Sequence, residues 1–159
     1  MELTQVTLKD LSRIEHEVYL PPFEKYLSPE FKLIAFQGIY GHGSAGKADA
    51  RYMQAVCRAA HEAWYTSGTI LDFSNLEYEW GDEMEQVIDC LDRSPGNCTY
   101  PLAIVVGSRS EQALRSLLQE SYDDLCFREL ESALIAIRNK KRAFDDCLTE
   151  WRKSRVGKA

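Results

Sequence analysis

The stretch Gly68–Met84, GTILDFSNLEYEWGDEM, decides how the rest of the chain is read. It opens with Ile70-Leu71, passes through Asp72-Phe73 and continues with alternating Leu76, Tyr78 and Trp80. Such an apolar and aromatic run is too short for a helix with its own face and matches a strand buried inside an α/β sheet. Gly81-Asp82-Glu83 then reads as a turn, after which Met84, Val87, Ile88 and Leu91 recur at helical spacing. The centre is therefore predicted as strand, turn, helix, the helix spanning about 82–93.

Upstream, Phe31–Tyr40 (FKLIAFQGIY) is a strand and Gly41–Gly46 a loop by composition. A helix follows from Asp49 to about Tyr65, with Tyr52, Met53, Val56, Cys57, Ala60, Ala63 and Trp64 as its apolar stripe. Residues 2–8 alternate weakly, Glu17–Leu20 is a short extended candidate, and Pro21-Pro22 and Ser28-Pro29 bracket a loop. Downstream, Ser94-Pro95-Gly96-Asn97 breaks the chain before a buried strand at Leu102–Val106. Ser108 or Ser110 caps the next helix, Leu125-Cys126-Phe127 is a short edge strand, and a last helix begins near Glu129 and continues through Phe144, Leu148 and Trp151. This order predicts one α/β domain: a mixed sheet with substantial parallel pairing and right-handed crossovers, covered by helices. Residues 31–140 form its core, 1–30 a strand and loop extension, and 141–159 a helix extension and basic tail.

The length of 159 residues suits a single domain, and 45% hydrophobic with 28% charged residues suits a folded one. No apolar run reaches the ~20 residues of a membrane span, and the start MELTQVTLKDLSRIEHE has no apolar segment behind a basic one. Five scattered cysteines without C-x-x-C spacing argue against a disulfide framework or zinc knuckle. Buried thiols in a reducing cytoplasm are the expectation. Cys98, in a loop, could be reactive, yet nothing near it in sequence would lower its pKa.

The net charge of −6 is uneven: Arg138–Ala159 carries eight Lys/Arg against three Asp/Glu, leaving −11 on the preceding 137 residues. Glu77, Glu79, Asp82, Glu83, Glu85, Asp89 and Asp92 hold much of the excess. Nucleic acid is disfavoured as a ligand of such a body, and a basic protein partner suits it better. The plainer alternative is a solvated helix face.

Gly41-His42-Gly43-Ser44-Ala45-Gly46-Lys47 satisfies G-x-x-x-x-G-K between a strand and a helix, and could cradle phosphates, with Asp72 the acidic residue near magnesium. Ala48, however, stands where the magnesium-binding hydroxyl belongs. A glycine-rich connection with a solvated Lys47 is favoured. His16, His42 and His61 are far apart, and no G-x-S-x-G or H-E-x-x-H occurs. No catalytic residue, metal or cofactor is expected. Tyr78 and Trp80, two apart, read more readily as one packed strand face than as a binding hot spot.

From about Phe31 to Lys140 the chain resembles the STAS domain, the sulfate-transporter and anti-sigma-factor-antagonist family. The resemblance is carried by Phe36-Gln37-Gly38, Asp49-Ala50, Ile70-Leu71-Asp72-Phe73-Ser74-Asn75-Leu76, Ala103–Gly107 and Leu130-Glu131-Ser132-Ala133-Leu134. It implies a fold and a style of protein-protein binding but carries over no site; the acidic cluster after the central strand is what motivates the expectation of a non-enzymatic module that docks a partner protein at Trp80, Gly81, Asp82, Glu83, Glu85 and Asp89 together with the Gly41–Gly46 loop. In partner-switching members a serine just after that strand is phosphorylated; here that position falls on Gly81. The crotonase and Clp-protease superfamily shares a related run of elements and is the alternative at fold level. Two other functions compete: an immunity or antitoxin protein that binds a basic toxin, and a small nucleotide-binding enzyme using Gly41, Gly43, Ser44, Gly46 and Lys47.

Overall fold

The computed structural model describes residues 2–22, 29–92 and 94–156. Its centre is one five-stranded sheet: β1 (Glu15–Tyr19), β2 (Lys32–Ile39), β3 (Thr69–Glu77), β4 (Leu102–Val106) and β5 (Cys126–Phe127), in the spatial order β1-β2-β3-β4-β5. β1 runs antiparallel to β2, and every other pair is parallel. Between the parallel strands lie α1 (Gly46–Ala63), α2 (Met84–Asp89), then α3 (Glu111–Leu118) and a single turn, α4 (Tyr122–Leu125). α5 (Leu130–Val156) closes the described chain.

Each crossover moves one strand further in the same direction. With right-handed crossovers, this places α1 to α4 on one face. That face holds the larger core: Ile34, Phe36, Leu71, Phe73, Ile104 and Val106 from the strands meet Met53, Val56, Val87 and Leu114 from the helices. The alternate strand residues, Leu33, Ile70, Ala103 and Val105, point to the second face and meet Ala133 and Ile137 of α5, with Leu134 partly buried beside them.

The central expectation, strand-turn-helix after Gly68, is met by β3 and α2, though α2 is shorter than 82–93 and ends at Asp89. Residues 2–8 form no strand; the segment ends in a 3₁₀ turn at Leu8–Asp10, with the Asp10 carboxylate accepting from the Thr7 backbone N–H. α5 passes residue 140 without a break, so the boundary placed there falls inside a helix. The loop bracketed by prolines lies largely outside the described residues. Ser110 starts α3 without capping it, because its hydroxyl points back to the carbonyls of Phe73 and Gly107, each at 3.3 Å.

The cysteine reading needs correction. Cys98 and Cys147 form a disulfide across 49 residues, tying the loop before β4 to the second half of α5, while Cys57, Cys90 and Cys126 are free. Periodicity could not reveal this, because nothing local relates a loop cysteine to one on a helix face. Two of the free thiols are poor nucleophiles. The Cys90 thiol and burial push Cys57 well up, and burial pushes Cys126 to about 12.

A buried cation stands at the entry of β2. Lys32 is 0% exposed, and its Nζ donates to Thr66 Oγ1 at 2.7 Å, His61 Nδ1 at 3.3 Å and the Trp64 carbonyl at 3.4 Å. These three acceptors use its three protons but supply no counter-charge, and burial pushes its pKa down to about 8.

Two measurements follow from these contacts. Replacing Cys98 and Cys147 together by serine should lower unfolding free energy by about 2–4 kcal/mol in urea titrations, the typical range for a disulfide. For Lys32, the unfolded chain keeps its proton between about pH 8 and 10.5 while the folded chain has lost it, so this residue's contribution to stability rises with pH over that window. The stability difference between wild type and Lys32→Met, followed by urea unfolding at increasing pH, should therefore shift in favour of wild type above about pH 8.

Candidate functional site

Parallel strands expose loops at their carboxyl ends, where α/β proteins place binding sites. Here the loop after β2 and the turn after β3 meet around one side chain. Tyr40, buried immediately after β2, sets its ring between them and donates its hydroxyl to the Asp82 carbonyl at 2.7 Å. Burial pushes that phenol far above its ordinary pKa, so it stays protonated as a donor. Tyr78 packs edge-on against Tyr40, with ring centroids 5.3 Å apart.

The glycines have a packing role. A β-carbon on Gly46 would stand 2.3 Å from Tyr40 Cε1, and one on Gly81 would stand 2.5 Å from the Gly41 carbonyl oxygen and 2.7 Å from Tyr40 Cε1. The Gly43 carbonyl accepts from the Asp82 N–H at 3.0 Å, which locks loop to turn. The G-x-x-x-x-G-K spacing therefore coincides with the close approach of two backbone segments to an aromatic ring.

The phosphate-binding features are otherwise engaged. Asp49, in the first turn of α1, accepts from the Gly41 N–H at 2.8 Å and from the Ser12 hydroxyl. An anion in the loop would meet this carboxylate. Lys47 pairs with Asp82 at 3.5 Å, and Ser44 lies exposed in the 3₁₀ turn Gly43–Ala45. Asp72 lies between Leu71 and Phe73 on β3, hence on the opposite face from α1, where it accepts from the Ser74 N–H at 2.9 Å. It does not join the loop.

Of the other residues expected at the docking face, Trp80, Gly81 and Asp82 lie against the Gly41–Gly46 loop. Trp80 is 60% exposed and stacks on His42 with centroids 6.0 Å apart and an interplanar angle of 10°. The expectation that Tyr78 and Trp80 share a packed strand face is not met: β3 ends at Glu77, before both, and Tyr78 is buried while Trp80 is exposed. Glu79 lies 3.5 Å from His42, while Glu85 and Asp89 are exposed on α2. Glu83 adopts φ 72° and ψ 10° immediately before α2. This left-handed conformation costs a residue with a β-carbon roughly 1–2 kcal/mol.

Sequence reasoning did not single out Tyr40, His42 or Arg109 for this surface. Arg109, before α3, pairs with Glu77 at 2.6 Å, and its carbonyl accepts from the Tyr78 N–H. A groove of about 640 Å³ runs between the Glu77–Trp80 segment and the start of α3, with Arg109 and Gln112 on its far wall. Only the pairing of β3 with β4 brings Arg109 here, and no local pattern encodes that.

Among the described residues, no group of three or more His, Cys, Asp or Glu side chains converges to hold a metal ion. His16 contacts the Tyr52 hydroxyl at 2.7 Å, His42 stacks on Trp80 and His61 meets Lys32, so the three histidines serve separate places. No family model, curated protein or solved structure matches the chain.

Gly81→Ser tests the packing around Tyr40. The added side chain must displace the Gly41 backbone, and should cost about 1–3 kcal/mol of stability. Tyr40→Phe, which removes only the bond to the Asp82 carbonyl, should cost about 0.5–1.5 kcal/mol by thermal or urea unfolding.

Proposed function

We propose that this protein is a non-enzymatic binding module that docks a partner protein with a basic surface at the carboxyl ends of β2 and β3. The observation that carries this reading is the interlocked surface itself: Trp80 stands exposed on His42, Glu79 lies 3.5 Å from His42, and the turn that follows carries Asp82 into α2, where Glu85 and Asp89 are exposed. An exposed aromatic next to a segment rich in exposed carboxylates supplies an apolar anchor and electrostatic steering together. Its foundation is rigid, since the Tyr40–Asp82 and Gly43–Asp82 bonds hold both segments.

The STAS resemblance supports the same reading. The observed succession of strand, glycine, loop, helix, strand, helix, strand and helix follows the order of elements in that family. The position where partner-switching members carry a phosphorylated serine is Gly81, whose surroundings leave no room for a side chain. The surface is therefore proposed to bind without a phosphate switch at that position. No described helix is long and apolar enough to cross a membrane, which fits a partner met in solution. The Cys98–Cys147 bond favours an oxidising compartment over the cytoplasm expected from the sequence.

Pull-down of partners from native lysate and culture fluid, compared between wild type and the triple variant Asp82→Lys, Glu85→Lys, Asp89→Lys, tests the proposal. Glu83 is spared because its left-handed backbone makes substitutions there hard to interpret. A partner retained by wild type should lose at least tenfold in affinity with the folded triple variant and with Trp80→Ala. Unchanged affinity in both variants would refute the docking surface.

A further inference from the structure

Beside Trp80 the surface sinks into the groove of about 640 Å³ that separates the Glu77–Trp80 segment from the start of α3. Glu77, Glu79 and Trp80 line one side, and Ser108, Arg109 and Gln112 the other. The buried Tyr78 and the half-buried Ala113 supply the apolar part of the lining. The two walls are tied together: the Tyr78 N–H donates to the Arg109 carbonyl at 3.1 Å, and the Arg109 guanidinium pairs with Glu77 at 2.6 Å.

Two features of this lining select an occupant. The first is charge. Two carboxylates, Glu77 and Glu79, stand against one guanidinium, so the lining is net negative. Arg109 is engaged by Glu77, while the exposed Glu79 carboxylate has the His42 imidazole 3.5 Å away. An anionic group would be repelled here and a cation attracted. The second feature is the indole of Trp80. His42 lies nearly parallel to it, 10° from coplanar, and a β-carbon on Gly43 would stand 3.0 Å from its Cη2 and Cζ3 atoms. One face and one edge of the ring are therefore taken. The residue is exposed all the same, which leaves its other face open beside the groove. A flat cation can extend the stack. Guanidinium is planar, stacks on indole and pairs with a carboxylate through two parallel N–H bonds, whereas an ammonium is a compact, strongly hydrated point charge.

We propose that this groove receives an arginine side chain of the partner protein. Its guanidinium stacks on the open face of Trp80 and donates to the Glu79 carboxylate, and its methylenes lie along Tyr78 and Ala113, as long cationic side chains cover apolar surface while keeping the head polar. This contact rests on the docking surface proposed above and names what the partner brings to it. Asp82, Glu85 and Asp89 lie outside the groove lining and act on the partner's approach, whereas the groove sets which basic side chain anchors it.

The test uses the capped tripeptide acetyl-Gly-Arg-Gly-amide as probe on the full chain with its disulfide intact, followed by backbone amide NMR shifts. The same peptide with lysine or citrulline in place of arginine is titrated beside it. Saturable binding of the arginine peptide is expected with a dissociation constant on the order of 10⁻³–10⁻² M, and shift changes confined to residues 42–43, 77–80 and 108–116. Citrulline, flat but uncharged, should bind about tenfold more weakly, and lysine about three- to tenfold more weakly. Glu79→Gln should weaken the arginine peptide about threefold and Trp80→Ala about tenfold, both at exposed positions where the fold is kept. Absence of saturable binding, equal affinity for the three peptides, shifts scattered outside the groove, or full affinity in both variants would overturn the arginine contact. The docking surface fails separately: it is refuted by the pull-down described above, and it survives a negative peptide result if the partner is still lost with the Asp82, Glu85 and Asp89 triple variant.

Discussion

All the crossovers wind one way, and most of the molecule follows from that constraint. A strand order equal to the sequence order, with right-handed connections, sends α1 to α4 to a single face. The opposite face has to be covered by what comes after the last strand. One helix of 27 residues does this: its first half packs Ala133 and Ile137 on the sheet. Its second half extends beyond, and would present Phe144 and Trp151 to water without further support. The Cys98–Cys147 bond and the Trp151–Gly96 contact supply that support. Covalent closure here strengthens a part of the fold that has little sheet beneath it.

The same winding gives the molecule two chemically different ends. At the carboxyl ends of β2 and β3, short connections approach so closely that Gly46 and Gly81 have no space for side chains beside Tyr40. The outcome is an interlocked surface with an exposed tryptophan. At the amino ends, Lys32, His61, Thr66 and Tyr100 gather below α5, and the space between helix and loop is left partly open. Lys32 is unusual there, since three neutral acceptors satisfy its hydrogens while leaving its charge uncompensated.

Much of the architecture was legible along the chain. Strands β2, β3 and β4 and helix α1 announce themselves by period, because their buried faces require apolar residues at spacings of two or of three and four. The proposed docking surface was partly legible as well: the acidic run after β3 and the glycine loop after β2 are each visible as local composition. Their interlocking was not, because the Tyr40–Asp82 bond joins residues 42 apart. The misreadings share that origin. Trp80 continues an alternation whose strand has already ended, and Cys98 gives no local sign of Cys147.

The sequence by itself determined the class of fold, the succession of elements and the sign of the charge on α2, since each depends on residues near one another along the chain. Tertiary structure alone decided which glycines touch Tyr40, which cysteines join, where Arg109 meets Glu77 and that a groove opens beside Trp80. These depend on the distances between segments brought together by strand pairing, and periodicity carries no information about such distances.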